Sequence, residues 1–433
     1  MTRPEHSLSA DAALAHPLRI CLSPGAIGGG GIGMVMLHLA EALLARGHAV
    51  DLLHLDEETD RTPPSGCTTV RIGAHARGAL PGAVRYLRRA RPDLVISARD
   101  YINVMMLGAR GFARLGAAAP NLVWSFHTHR ASEMAHVAGR RDRVADWMTR
   151  QVLAGRTPWR PDALVAVSRR VALGLSEDLG LRSTALTVIE NPVWTPARLQ
   201  ARRAPCLHPW LRARAAMAHS QTRAATSDSP VILAVGRLAP QKDFSTLIRA
   251  LERWPGPQEP RLIILGNGPQ HGALRAQIAA AGLEGRVDMP GHVDDVLPYM
   301  SRADLFVMPS RWEGFPLALV EALGCGCPVV ATDCPGGSAD MLARGRLGAL
   351  VPPASPDALA QAMAATLAAP GDPAPRLTAA HRYNAERAAE RYLALARQRA
   401  EVPARSKRAG SESVAALPAG SNTSSRVVRR ADR

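Results

Sequence analysis

Lysine is nearly missing from this 433-residue chain. Of 53 basic residues only Lys242 and Lys407 are lysines, and the rest are arginine. Long apolar runs are also missing, since none approaches the roughly 20 residues that a bilayer-spanning helix needs. The N-terminal "MTRPEHSLSADAALAHP" has no apolar centre of the kind a secretory signal carries, so a cytoplasmic location is expected. None of the six cysteines forms C-x-x-C, and Cys325 and Cys327 are too close for a usual zinc pair. Plain reduced thiols are expected, and no metal. Aromatics make up only 4% of the chain. The basic clusters "RYLRRARP" (85–92) and "RTPWRP" (156–161) show no repeated interleaving of aromatics, with one each, and no nucleic-acid module, which argues against nucleic acid as a partner. A net charge of +16 leaves anionic membrane surface and sugar nucleotides as candidate partners, beside a simple compositional bias toward arginine.

What is present is an alternation. Short apolar runs, "LRICLS" (18–23), "AVDLLHL" (49–55), "LVIS" (94–97), "LVWSF" (122–126), "ALVAVS" (163–168) and "LTVIEN" (186–191), are separated by helical patterns. Near-continuous apolar strands between helices predict a parallel sheet covered on both faces. The rhythm fails at 195–229, an Arg-rich, polar stretch that reads as an interdomain linker. It restarts with "VILAVG" (231–236), "RLIILG" (261–266), "LFVMPS" (305–310), "CPVVATD" (327–333) and "GALVP" (348–352). The fold class is therefore α/β in two halves. Residues 1–17 and 401–433 read as disordered tails and 379–400 as a terminal helix.

Between the first strand and first helix lies Gly28-x-Gly30-x-x-Gly33, the spacing of a dinucleotide fingerprint. Two features weaken that reading. "PGAI" separates the strand from Gly28, and the position after the second strand where an acidic residue should hold ribose is His54. A glycine-rich turn opening a helix still offers free N–H groups and a positive dipole end, so a phosphate-bearing ligand survives where a nicotinamide does not.

The second half carries more. "AVGRLAPQKDF" puts Arg237 at a strand end and Lys242 on the following loop. A single lysine in an arginine-dominated region suggests that a compact ammonium is required there. In "LFVMPSRWEGFPLALVEALGCG", Pro316 predicts the start of a helix, with Gly314 and Phe315 at its N-terminus. Glu313 and Glu321, eight apart and on nearly one face, could hold a hydroxyl-rich ligand while the amide end takes phosphate.

Together "VGRLAPQKD", "LGNGPQ", "PGHVDDV" and "EGFPLALVE", with "VSRRVALGLSEDLGL", "HPWL" and "GGGGIG", resemble retaining GT-B glycosyltransferases of family 4. The resemblance covers nearly the whole chain apart from its ends. It implies two Rossmann-like domains facing each other across a cleft, an acceptor-side domain at 18–194 and a nucleotide-sugar-binding domain at 230–378. It also implies sugar transfer from a nucleotide diphosphate sugar, UDP-sugar first, without an obligatory metal. Arg237 and Lys242 would hold the donor diphosphate, Glu313 the sugar and Glu321 the ribose. The backbone at His292 and Val293 would read the base. Gly314 and Phe315 would offer amides, which Pro316 lacks, and Gly30 and Gly31 would face the diphosphate from the first domain. A first-domain histidine beside the sugar is expected at His127, in preference to His129, because it leaves its strand at the carboxyl edge. Asp100 and Asn103 follow the preceding strand and are further candidates for donor or acceptor contact.

One departure stands out. After "ATDCPGG" the family pattern of Pro-Arg-Glu is replaced by Ser338, Ala339 and Asp340, which bears on acceptor and sugar choice. The implied acceptor is lipid-linked or saccharide, with docking at the inner face of the plasma membrane. The rivals are a nucleotide-sugar epimerase of the same fold and a non-catalytic sugar-nucleotide-binding subunit.

Overall fold

The computed structural model describes residues 16–28, 30–55, 61–75, 78–114, 116, 119–128, 134, 139–212 and 229–400. Most of both expected tails, residues 213–228 of the expected linker, and His129 lie outside these residues.

Among the described residues the chain forms two parallel sheets. The first is built from β1 (Arg19–Gly25), β2 (Ala49–Leu55), β3 (Thr68–Gly73), β4 (Leu94–Ala98), β5 (Asn121–Phe126), β6 (Ala163–Ala166) and β7 (Leu186–Val188), in the order β3-β2-β1-β4-β5-β6-β7. Its strands alternate between two cores. Cys21, Leu53 and Val95 face one, while Ile20, Leu52 and Ile96 face the other. Burial on both faces is why these strands read as unbroken apolar runs. The second sheet contains β8 (Val231–Val235), β9 (Arg261–Leu265), β10 (Val287–Gly291), β11 (Leu305–Met308), β12 (Val329–Thr332) and β13 (Ala349–Val351), in the order β10-β9-β8-β11-β12-β13.

Strand order reverses between β1 and β4 in the first sheet and between β8 and β11 in the second. At such switch points the loops leaving adjacent strands part in opposite directions and open a crevice at the carboxyl edge, where ligands bind in this class of sheet.

The chain crosses between the domains at two adjacent places. Val193 and Trp194 lead out of the first domain, and Tyr383 to Ala385 lead back, with the helix Ala385–Ala400 packing on the helix Gly31–Ala45. The crossings are hydrogen-bonded to each other. Val193 N and Trp194 N donate to the Tyr383 carbonyl at 2.9 and 3.1 Å, and Ala385 N donates to that of Trp194 at 2.9 Å.

The stretch read as a linker does more than connect. A helix, Pro196–Ala201, starts where the Thr195 hydroxyl accepts the Arg198 N–H. Arg198 and Arg202, four apart, share a helix face, and together with Trp194, which precedes the cap, they address the second-domain helix Leu317–Gly324. Trp194 lies against Gly324, Arg198 pairs with Glu321, and Arg202 Nη1 donates to the Gly324 carbonyl at 2.8 Å. Further on, Cys206 and Leu211 are buried in the core. Polar composition hid this docking because its contacts depend on register.

A Cβ at Gly324 would lie 2.0 Å from Cζ2 of the buried Trp194 ring. Gly324→Ala gains about 1 kcal/mol of helix propensity but must displace that ring. Overpacking of about 1–3 kcal/mol wins, so the variant should unfold at lower denaturant concentration, measured by chemical denaturation.

Candidate functional site

The second-domain face of the cleft is built on the loops after β8 and β11. Gly236 leaves β8, and the Lys242 stem passes so close that a Cβ at Gly236 would sit 3.1 Å from Lys242 Cε. The lysine ends at Glu313, with Nζ 2.6 Å from Oε1. The buried Ser310 hydroxyl donates to the same oxygen at 2.6 Å. The two loops are stitched together by Arg311 N to the Gln241 carbonyl (2.8 Å), Gln241 Nε2 to the Trp312 carbonyl (2.9 Å) and Arg311 Nε to Asp243 Oδ2 (3.0 Å). Arg237, at the β8 exit, is exposed, and its side chain has no hydrogen bond or ion pair among the described residues.

Pro316 is the N-cap residue, and the helix runs Leu317–Gly324, so Glu313 stands three residues before the cap. The two glutamates therefore do not share a helix face. Each has its own cation, Lys242 for Glu313 and Arg198 for Glu321. Phe315 is buried edge-on against Tyr383, with ring centroids 5.5 Å apart, which leaves only its backbone for the cleft. Beside the Arg198–Glu321 pair opens a cleft of about 910 Å³, lined by Met34, His38, Thr195, Arg198, His292 and Asp294. His292 is exposed and Val293 half-buried, directly after β10.

The first-domain face comes from the ends of β1, β4 and β5. Gly31 opens its helix so close to the start of Leu317–Gly324 that a Cβ there would lie 2.9 Å from Leu317 Cδ1. Gly33 is needed for packing, since a Cβ would meet the Ile27 carbonyl at 2.2 Å. His127 follows β5 and is buried. Its Nε2 lies 2.9 Å from the Ser125 hydroxyl, which in turn lies 3.2 Å from the Tyr392 hydroxyl. With Tyr392 donating to Ser125 and Ser125 to Nε2, the proton rests on Nδ1, which has no partner. Asn103 turns inward instead, fully buried, and accepts the Ser97 hydroxyl proton at 2.7 Å. Asp100 begins the helix Asp100–Ala113.

The faces meet. A Cβ on Gly314 would lie 2.1 Å from the His127 carbonyl oxygen, so only glycine admits this approach. The structure thus gathers Gly30, Gly31 and His127 opposite Lys242, Glu313 and Gly314, with Glu321 and His292 beside the neighbouring cleft.

Residues 29–195 match the family model Glycosyltransferase Family 4, and residues 229–369 match Glycosyl transferases group 1. The chain belongs to the group 1, family 4 glycosyltransferases. Over 205 residues this glycosyltransferase is 32% identical to an exopolysaccharide phosphotransferase of Streptomyces coelicolor, covering 47% of this chain and 19% of that protein. Over 175 residues it is 35% identical to the lipopolysaccharide core biosynthesis mannosyltransferase LpcC of Rhizobium leguminosarum, covering 39% and 48%. It is also 37% identical over 120 residues to the N-acetylgalactosamine-N,N'-diacetylbacillosaminyl-diphospho-undecaprenol 4-alpha-N-acetylgalactosaminyltransferase of Campylobacter jejuni, covering 28% and 32%. Each match thus spans less than half of the relative. In fold it is similar to sucrose-phosphate synthase from Thermosynechococcus elongatus (TM-score 0.65, 22% identity, 89% of this chain and 98% of that one). It is similar too to Anabaena HepE in complex with UDP and glucose (TM-score 0.63, 21% identity, 89% and 98%). The architecture is GT-B.

Two residues of the glycosyltransferase's cleft escaped the sequence reading. Arg198 sat inside a presumed tether, and only its register reveals it. Arg99 follows β4 as His127 follows β5, so the strand-exit rule applied to "VISARD" would have found it.

Burial, with the Arg99 charge adding to it, pushes the His127 pKa down to about 3. Burial and Arg198 do the same for His38, against the opposing hydrogen bond to the Pro192 carbonyl, and bring it to about 3. Both imidazoles are therefore neutral at pH 7. The unfolded chain protonates them near 6.5 while the native chain does not, so stability falls as pH drops from about 6.5 toward 3. The loss is about 1.4 kcal/mol per pH unit for each. Melting temperature measured between pH 7 and pH 5 should fall, and His38→Gln with His127→Gln should flatten that slope.

Proposed function

We propose that the chain is a retaining glycosyltransferase that moves a sugar from a UDP-sugar to a lipid-linked or saccharide acceptor in polysaccharide or glycolipid assembly. The observation that carries this reading is the Lys242–Glu313 pair set opposite the first-domain glycines and His127 in one crevice. The names of the matched bacterial relatives support the pathway, and the UDP held by the Anabaena neighbour supports the nucleotide.

In this reading Arg237 and Lys242 bind the donor diphosphate and stabilise the charge that grows on it as the sugar departs. Before donor arrives, Glu313 supplies the ammonium with a counter-charge. Once phosphate takes the lysine, the carboxylate is free for sugar hydroxyls. Glu321 binds ribose hydroxyls, and the backbone at His292 and Val293 reads the base. Amides at Gly30, Gly31, Gly314 and Phe315 surround the anion from two helix starts. Neutral His127 offers Nδ1–H to the sugar without adding charge. Departure and attack occur on one face through an oxocarbenium-like state, without a conventional general base.

The same reading makes an anionic membrane surface a partner. No helix among the described residues is long and apolar enough to cross a membrane. However, the two basic clusters 85–92 and 156–161 converge in space. Phe112 and Trp159, 51% and 38% exposed, meet edge to face at 5.3 Å. Arg88 lies beside them and donates to the Phe112 and Ala113 carbonyls, with exposed Arg85 and Arg89 next to it. Aromatic rings flanked by cations suit an anionic headgroup layer, each nearby arginine contributing about 1 kcal/mol.

Lys242→Ala and Glu321→Ala should each cost about 1–3 kcal/mol in donor use, read as roughly 5- to 150-fold in kcat/KM for UDP-sugar turnover. Wild-type turnover in either variant would remove the assignment. In cosedimentation with anionic vesicles at low salt, the wild type should pellet and Phe112→Ser/Trp159→Ser should stay largely in the supernatant. Wild type left in solution would end the membrane reading.

A further inference from the structure

We propose that Arg99 is an anion-binding residue of the first domain, gripping an anionic oxygen between its guanidinium and the glycine turn at Gly30. The ligand oxygen belongs either to the donor diphosphate or to a charged acceptor group.

Its position comes first. Arg99 leaves β4 directly across the switch point from the loop that follows β1, where the open crevice lies. Its Nη2 sits 3.9 Å from the place a Cβ on Gly30 would occupy. Gly30 is the N-cap residue of the 15-residue helix Gly31–Ala45 and carries no side-chain cap, so the amides of that turn are open to an anion.

Its backbone is the second observation. Arg99 has φ 74° and ψ 137°, outside the regions an L-residue occupies comfortably and open mainly to glycine. Arg91 and Arg114 also have positive φ, but they are helix C-caps within the left-handed α basin, a common helix ending. Arg99 is instead the N-cap of Asp100–Ala113 and makes no side-chain cap bond. On local grounds a glycine or a capping Ser, Thr, Asp or Asn would serve better. Disagreement between residue and backbone of this kind gathers at ligand sites.

The third observation is the side chain itself. Arg110, Arg150, Arg198 and Arg376 all hold carboxylates or carbonyls. Arg99 holds nothing among the described residues, although its Nε is shut off from solvent. Nδ1 of His127, whose imidazole feels the Arg99 charge, is likewise buried and without a partner. A dehydrated donor with no acceptor is costly, and one ligand oxygen entering from the cleft would relieve it.

The donor source rests on the function proposed above; the anion site itself does not. The test is a thermal-shift comparison of wild type with Arg99→Gly and Arg99→Lys, using UDP, UMP and inorganic phosphate as probes. Arg99→Gly fits the observed dihedrals, so without ligand it should melt at or above the wild-type temperature. If the donor's distal phosphate sits on Arg99, the variant's UDP shift should collapse to its UMP shift. If a charged acceptor sits there, the UDP shift should survive while the wild-type response to inorganic phosphate disappears. Arg99→Lys, which keeps charge but not the fork, should bind the affected probe several-fold more weakly than wild type. Arg99→Gly matching wild type for all three probes overturns the proposal, as does a wild type that responds to none. A wild type that responds to phosphate but not to UDP overturns the donor assignment instead, and leaves Arg99→Gly to judge the site.

Discussion

A half-buried ammonium facing a buried carboxylate is the constraint around which this cleft is organised. Lys242 and Glu313 come from loops on opposite sides of the second sheet's switch point. Burying the Glu313 carboxylate this deeply costs several kcal/mol unless a cation meets it, and Lys242 supplies that cation. The surrounding residues serve that meeting. Gly236 lets the lysine stem pass, and Ser310 gives the shared oxygen a second donor. Gly336 must lack a Cβ because one would sit 2.3 Å from the Glu313 carbonyl oxygen. Charge placement and backbone shape are thus one requirement.

The two faces of the cleft are prepared differently. On the second domain Lys242, Glu313 and Glu321 already have counter-charges, so an anion arriving at Lys242 exchanges partners at little electrostatic cost. The first domain offers there a neutral imidazole and a charged guanidinium, each with a buried nitrogen that has no acceptor among the described residues. A ligand entering between them meets a balanced wall on one side and an unsatisfied one on the other. The unsatisfied side has most to gain from closure.

How much of this could be read from the chain depended on the kind of information involved. Doubly buried strands such as "LVIS" and "VILAVG" announce themselves through unbroken apolarity, and Lys242 stands out by its rarity. Glu313 and Glu321 stood out as a pair of carboxylates, but their expected shared helix face was wrong, because the cap falls at Pro316 and separates them. Arg198 was invisible because composition averages over register, and three contacts spaced four apart look like any Arg-rich stretch. Arg99 was only half hidden. Its strand exit could be read from "ISARD", but the pair of dihedral angles that marks it could not.

The paired crossings carry a mechanical consequence. Because Trp194 and Asn384 lie side by side as a short parallel bridge, the two domains are joined along a line rather than at a point. A single tether would allow swivelling in any direction. Two bonded tethers resist twist and favour a door-like swing about one axis, so that each opening returns the jambs to the same alignment.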